Sequence, residues 1–362
     1  MNSILGKRIT SPVVGLILMI GTAAMASVVL GRWIYRPGEA TPQASGYHQV
    51  KKFALGGEGG WDYLTVDSAT RRLYISRATR VMVVDEDSGA VVGEIADTQG
   101  VHGIALAPEL GRGFTSNGRA ATATIFDLKT LQTLGQVKTG TNPDAIVYDP
   151  ASKRVFTFNG ASKDATAIDA ASGNVAATVP LGGKPEFAVA DGKGHIYVNI
   201  EDKNEVVALD SGKAQVLNHW PLAPCEEPTG LAMDIKHRRL FAGCGGNKLM
   251  VVVDADSGRV ITTLPIGAGV DATAFDPETG LAFSSNGEGT LTVIREESPD
   301  KFSLVENVAT QRGARTMALD AKTHNVYLVT AEFGPRPAPT PENPRPRPPL
   351  LPNSFVVLVF GK

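Results

Sequence analysis

The chain has 362 residues, 43 % of them hydrophobic and only 6 % aromatic, with 39 glycines and 23 prolines, a balance that suits many short strands and tight turns and excludes an overall disordered chain. A formal net charge of −2, with no run of Lys or Arg, disfavours nucleic acid as a partner, since a phosphate-binding surface needs a cationic excess or stripe. Length alone would allow more than one ordinary domain, so internal order has to decide the architecture.

Lys7 and Arg8 precede an apolar stretch over residues 13–24, and Ala24-Met25-Ala26 has the small-x-small form of a signal-peptidase site. This predicts a signal peptide over residues 1–26. A second reading joins residues 13–30 into one apolar run anchored by Arg32, Trp33 and Tyr35, an uncleaved membrane anchor reaching to about residue 35. Both readings place the rest of the chain in the periplasm or another extracytoplasmic space, tethered to the inner membrane in the second. The membrane is expected as a partner only through this segment. Residues 27–46, with Pro37 and Pro42 among small residues, read as a linker.

From Trp61 onward one pattern occurs seven times. Its second place is always polar: Asp62, His102, Asp144, Glu186, Thr229, Asp271 and Arg315, at successive separations of 40, 42, 42, 43, 42 and 44 residues. So constant a period indicates repeated structural units. Each unit continues with alternating apolar positions, a turn such as Asp149-Pro150-Ala151-Ser152, a β-rich run such as Arg154-Val155-Phe156-Thr157-Phe158, and a third run that usually ends in Asp (Asp85, Asp127, Asp169, Asp210, Asp254) before a further turn. Four short strands in roughly 42 residues is the signature of a β-propeller blade. The fold predicted is all-β: a seven-bladed propeller over residues 47–362 with four-stranded antiparallel blades. Residues 47–55 form a lone alternating run, and the last blade lacks a fourth strand, so the N-terminal strand is expected to complete the C-terminal blade and close the ring.

The seven polar positions then encircle one mouth of the central channel. Counting residues around the first hairpin of each blade places Asp62 opposite Arg77, His102 opposite Asn117, Asp144 opposite Asn159, Thr229 opposite Cys244, Asp271 opposite Asn286 and Arg315 opposite Thr330. Four carboxylates at one opening repel one another unless Arg77, Arg315, His102 or a cation balances them, so at least one acidic pKa is expected to be perturbed. The ligand-binding set expected on this basis is Asp62, Arg77, His102, Asn117, Asp144, Asn159, Glu186, Asp271, Asn286 and Arg315. The asparagines have an alternative role in turn geometry.

The two cysteines, Cys225 and Cys244, both map to the mouth face, where a disulfide and two free thiols fit equally well. His195, His237 and His324 fall in turns on the opposite face and read as solvated turn residues. Residues 332–354 interrupt the last blade with nine prolines, a segment that cannot join a sheet. It is either a tolerated surface insertion or a lid or docking element on the mouth face, with Arg336, Arg345 and Arg347 adding positive charge.

With Ile196-Tyr197-Val198-Asn199 in the fourth blade and looser versions such as Leu73-Tyr74-Ile75-Ser76 and Phe114-Thr115-Ser116-Asn117, the chain resembles the YncE-like propellers with YVTN repeats over residues 47–362. The resemblance implies an exported seven-bladed propeller with a binding face; one branch of that family binds DNA, and relatives include lactonases and quinoprotein-associated propellers. No catalytic motif of those relatives maps onto this sequence. The first expectation is therefore a monomer that binds a small molecule or an envelope protein at the mouth, without catalysis. The alternative is a metal-assisted hydrolase or lactonase, in which Asp144, Glu186, Asp271 and Asn286 hold a divalent cation such as calcium, with His102, Asp144 or Glu186 as the catalytic group. Single-stranded DNA binding ranks third, with Trp61 and Tyr63 as the stacking candidates.

Overall fold

The computed structural model describes residues 44–340, 343–344 and 346–362. The expected leader, and the linker up to residue 43, lie outside the described residues. Among the described residues, twenty-eight strands form seven four-stranded antiparallel sheets. Blade 1 comprises Leu64–Asp67, Arg72–Arg77, Arg80–Asp85 and Val91–Ile95, and blades 2 to 6 repeat this up-and-down order. Blade 7 takes Met317–Asp320, Asn325–Thr330 and Val356–Gly361 from the C-terminus and His48–Ala54 from the N-terminus as its outer strand. His48 pairs with Gly361 and Ala54 with Val356, so the first and last strands of the domain clasp each other and leave no blade open.

Burial explains why the strands read as they do. The second and third strands of each blade are covered on both faces, which is why Val81 to Val84 and Met250 to Val253 are apolar throughout. Outer strands such as Val91–Ile95 have mostly exposed positions, broken by a few covered ones. The core is divided among the blade junctions, with seven apolar clusters, each joining two adjacent blades. Between blades 7 and 1, for example, Leu73, Ile75 and Val84 pack on Val329, Val357 and Val359. The turns after the third strands are closed by their aspartates. Asp85 accepts from the backbone N–H of Ser88 at 2.8 Å, Asp127 from Thr130 at 2.7 Å and Asp254 from Ser257 at 2.8 Å.

The first hairpins depart from the expected register by one residue. Asn117 faces Val101, not His102; Asn159 faces Pro143, not Asp144; Cys244 faces Pro228, not Thr229; and Asn286 faces Val270, not Asp271. A β-bulge follows each of these pairs, at the polar residue. A bulge inserts an unpaired residue and re-aims its side chain. Counting back from the turn could not reveal it.

Candidate functional site

The polar residues of the repeat converge at one end of the central channel. Asp62, Asp144, Glu186, Thr229, Asp271 and Arg315 all line a cavity of about 450 Å³, together with Tyr63, Lys184, Phe187, Glu201, Glu227, Met317 and Arg347. His102 completes the ring between two neighbours: its Nδ1 lies 2.5 Å from Asp62 Oδ2 and 3.7 Å from Asp144 Oδ1. The ring is packed from behind by Gly118, since a Cβ there would stand 2.6 Å from His102 Nε2. Lys184 Nζ is 2.5 Å from Glu186 Oε1 and also pairs with Glu201, while Arg315 Nε is 3.4 Å from Asp271 Oδ2. Thr229 donates its hydroxyl to the Val270 carbonyl at 3.1 Å, tying blade 5 to blade 6. Tyr63 and Phe187 stack with centroids 5.1 Å apart. They come from blades 1 and 4, nearly opposite in a ring of seven, so the contact reaches across the channel, and both rings line the cavity.

Six carboxylates line this cavity against three permanent cations, and the imbalance shows in their protonation. Burial, reinforced by the Asp62 charge, raises Asp144 to about 6, with His102 opposing. Asp271 rises to about 6 for the same first reason, with Arg315 opposing. Glu186 moves upward through burial and the charge of Asp144, against the pull of Lys184. His102 goes the other way from an ordinary buried imidazole. Burial lowers its pKa, but the bond to Asp62 and the charge of Asp144 outweigh that and lift it to about 9. With its pKa so raised, His102 carries a proton at neutral pH and donates to Asp62. Burial and the surrounding carboxylates keep the Tyr63 phenol protonated.

Four residues of the expected set lie elsewhere, and their assignment to the mouth is corrected. Asn117 is fully buried inside blade 2, where it accepts from Thr115 Oγ1 at 2.8 Å and donates to Thr122 at 3.1 Å and Thr124 at 2.8 Å. Asn159 makes the same set with Thr157, Asp164 and Thr166, and Asn286 with Ser284, Thr290 and Thr292. Their amides stitch the second strand to the third, which leaves Asn286 no place among metal ligands. Arg77 is also buried; its guanidinium lies 3.6 Å above the Phe355 ring and donates to the Glu58 carbonyl at 2.8 Å. Burial lowers its pKa to about 10.

Sequence reasoning missed Lys184, Glu201, Glu227 and Phe187. Lys184 and Phe187 flank Glu186 and could have been found by extending the repeat to neighbouring positions. Glu201 and Glu227 come from connecting loops that carry no periodic signal. Cys225 and Cys244 are joined, with Cα atoms 5.4 Å apart. The proline-rich segment folds back on itself through a Phe333–Leu350 bridge and brings Arg347 to the cavity, with Phe333 6.3 Å from Trp61.

Among the described residues, Asp62, His102 and Asp144 each present one donor atom, all within 4.8 Å of one another. Two carboxylates and an imidazole suit a divalent cation, provided the His102 proton leaves.

No family model matches the sequence, and no curated protein matches it. Among solved structures the chain is similar to that of U3-55K, at 9 % identity and a TM-score of 0.70 over 88 % of this chain and 99 % of the other. A chain of Kuenenia stuttgartiensis hydrazine synthase aligns at 16 % identity and a TM-score of 0.48, covering 66 % of this chain and 96 % of that one. At such identities the similarity speaks for the fold alone, and the chain is a seven-bladed β-propeller.

Proposed function

We propose that this chain is an exported binding protein of the YncE-like, YVTN-repeat type, which takes a small cationic ligand at the acidic mouth of its channel. The observation that carries the reading is the convergence of Asp62, Asp144, Glu186 and Asp271, from four different blades, on one cavity large enough for a small molecule. Burial leaves these carboxylates short of positive charge, and an amine or metal ion supplies it. The stacked Tyr63 and Phe187 add an aromatic floor for the apolar part of such a ligand. The leader read from residues 1–26 supports export. Titration calorimetry with spermidine, choline and Ca²⁺ tests the reading. Binding of at least one, weakened more than about tenfold in Asp144→Asn/Asp271→Asn, is expected; heats indistinguishable from that variant for all three probes would remove it.

The second reading, a metal-assisted hydrolase, is favoured by the Asp62, His102 and Asp144 triad. A bound divalent ion would polarise a carbonyl or lower the pKa of water. The residues here would then orient the substrate, with Lys184 and Arg315, both lining the cavity, as the cations nearest to developing negative charge. Turnover of a γ-lactone that needs added metal and fails in His102→Ala separates it from simple binding.

A further inference from the structure

A second cluster of ligating groups lies at the other end of the blades, and the repeat itself explains why it is unusual. Four residues after the aspartate that ends an inner strand, the chain takes a left-handed turn: Arg71, Arg238, Gly280 and His324 have φ of 58°, 59°, 64° and 61°. In three of these turns the residue is cationic and reaches back to the buried aspartate of the preceding blade. Arg71 holds Asp320 at 2.6 Å, Arg238 holds Asp191 at 2.8 Å and His324 holds Asp276 at 2.8 Å. Blade 6 has Gly280 here, so Asp234 of blade 5 receives no cation from it.

Blades 1 and 6 share a second feature at this turn. Glu86 and Glu296 are equivalent, because each donates its backbone N–H to the left-handed residue, Glu86 to Arg71 at 3.1 Å and Glu296 to Gly280 at 2.9 Å. Between blades 7 and 1, the Arg71 guanidinium sits between two buried carboxylates, 2.6 Å from Asp320 and 2.7 Å from Glu86. Between blades 5 and 6 the same two carboxylates are present, Asp234 and Glu296, each with a side chain only 3 % exposed, and the guanidinium is gone. His237 was expected to be a solvated turn residue. Instead its Nδ1 lies 2.7 Å from Asp234 Oδ2 and 2.9 Å from Glu296 Oε1. One nitrogen offers one N–H to two carboxylates, and Glu296 Oε2 stays buried with no hydrogen-bond partner, as Glu86 Oε1 does beside Arg71. Leaving such an oxygen uncompensated is costly.

We propose that a divalent metal ion, Zn²⁺ by its donor set, binds between blades 5 and 6 on Asp234, His237 and Glu296, in the place that a guanidinium fills between blades 7 and 1. Their donor atoms already lie within 4.8 Å of one another. Bonds of about 2.0–2.1 Å in a tetrahedral set separate the ligands by about 3.3 Å, so the present contacts open by roughly half an ångström. His237 is about one-third exposed and lies on a turn, which leaves a fourth position for water and a path for entry. Imidazole with two carboxylates selects Zn²⁺ over Ca²⁺ or Mg²⁺, which take oxygen donors. The ion joins two blades, so it acts as a clasp.

The test is calorimetric titration of the full chain with ZnCl₂ near pH 7.5, in a His102→Ala background that removes the imidazole of the mouth. One equivalent of Zn²⁺ is expected, with affinity reduced more than about tenfold in His237→Ala and in Glu296→Gln. Gly280→Arg is expected to abolish binding as well, by restoring the guanidinium. A side chain fits there, since the nearest atom to a Cβ is the Glu296 carbonyl oxygen at 3.4 Å, and Arg71 and Arg238 adopt the same backbone angle. Absence of Zn²⁺ binding, or unchanged binding in Glu296→Gln, overturns the proposal, and this holds whether or not Gly280→Arg folds.

Discussion

Replacing Asp144 by Asn removes one charge from the mouth and leaves the shape of the side chain. The folded-state pKa of Asp144 is about 6, against an ordinary 3.8, so the folded protein binds this proton more tightly than the unfolded chain does. Stability therefore falls as pH rises from about 4 through 6, and above 6 the full cost is present. A shift of about two units corresponds to roughly 3 kcal/mol. Asparagine escapes that cost, from which the opposing pull of His102, 3.7 Å away, is already subtracted. Asp144→Asn should thus be nearly neutral at pH 4 and stabilising by about 1–3 kcal/mol at pH 8. Urea denaturation at both pH values reads the difference. Equal effects at pH 4 and pH 8, or destabilisation at pH 8, would refute the reasoning, because either means that the carboxylate is not held against its own charge.

Gly118→Ala drives a methyl group to within 2.6 Å of the His102 ring and should break the pairing with Asp62, lowering the His102 pKa from about 9 toward 6.5; imidazole resonances followed by NMR would show it, and an unmoved titration would count against this packing. Because the raised His102 pKa contributes stability that is complete below 6.5 and lost as pH passes 9, that variant should also flatten the pH dependence of unfolding over this window. The Cys225–Cys244 bond closes a loop with a sequence separation of 19, so Cys225→Ala/Cys244→Ala should lose about 3 kcal/mol, and unchanged denaturation by urea with and without reductant would contradict this.

The fold was legible because its information is periodic. Polar residues recurring at near-constant spacing define the blades, and the unpartnered run at residues 47–55 tells where the ring closes. The ring of Asp62, Asp144, Glu186 and Asp271 was legible for the same reason. What failed was local: a one-residue bulge turned the expected Asn117, Asn159 and Asn286 partners inward to serve their own blades. Arg77 looked like a balancing charge, yet its aromatic partner Phe355 is distant in sequence and lies beyond the proline-rich segment. His237 likewise reads as an ordinary turn histidine until Glu296, 59 residues away in the next blade, is seen beside it. Contacts between blades have no period in the sequence.

The carboxylates at the mouth are held partly protonated for want of a cation. Counting the protons released when spermidine or Ca²⁺ binds, by calorimetry at pH 6 in buffers of different ionisation enthalpy, puts this to the test. With Asp144 and Asp271 each near half protonation there, release of about one proton is expected, lost in Asp144→Asn/Asp271→Asn. Binding with no proton release would contradict it.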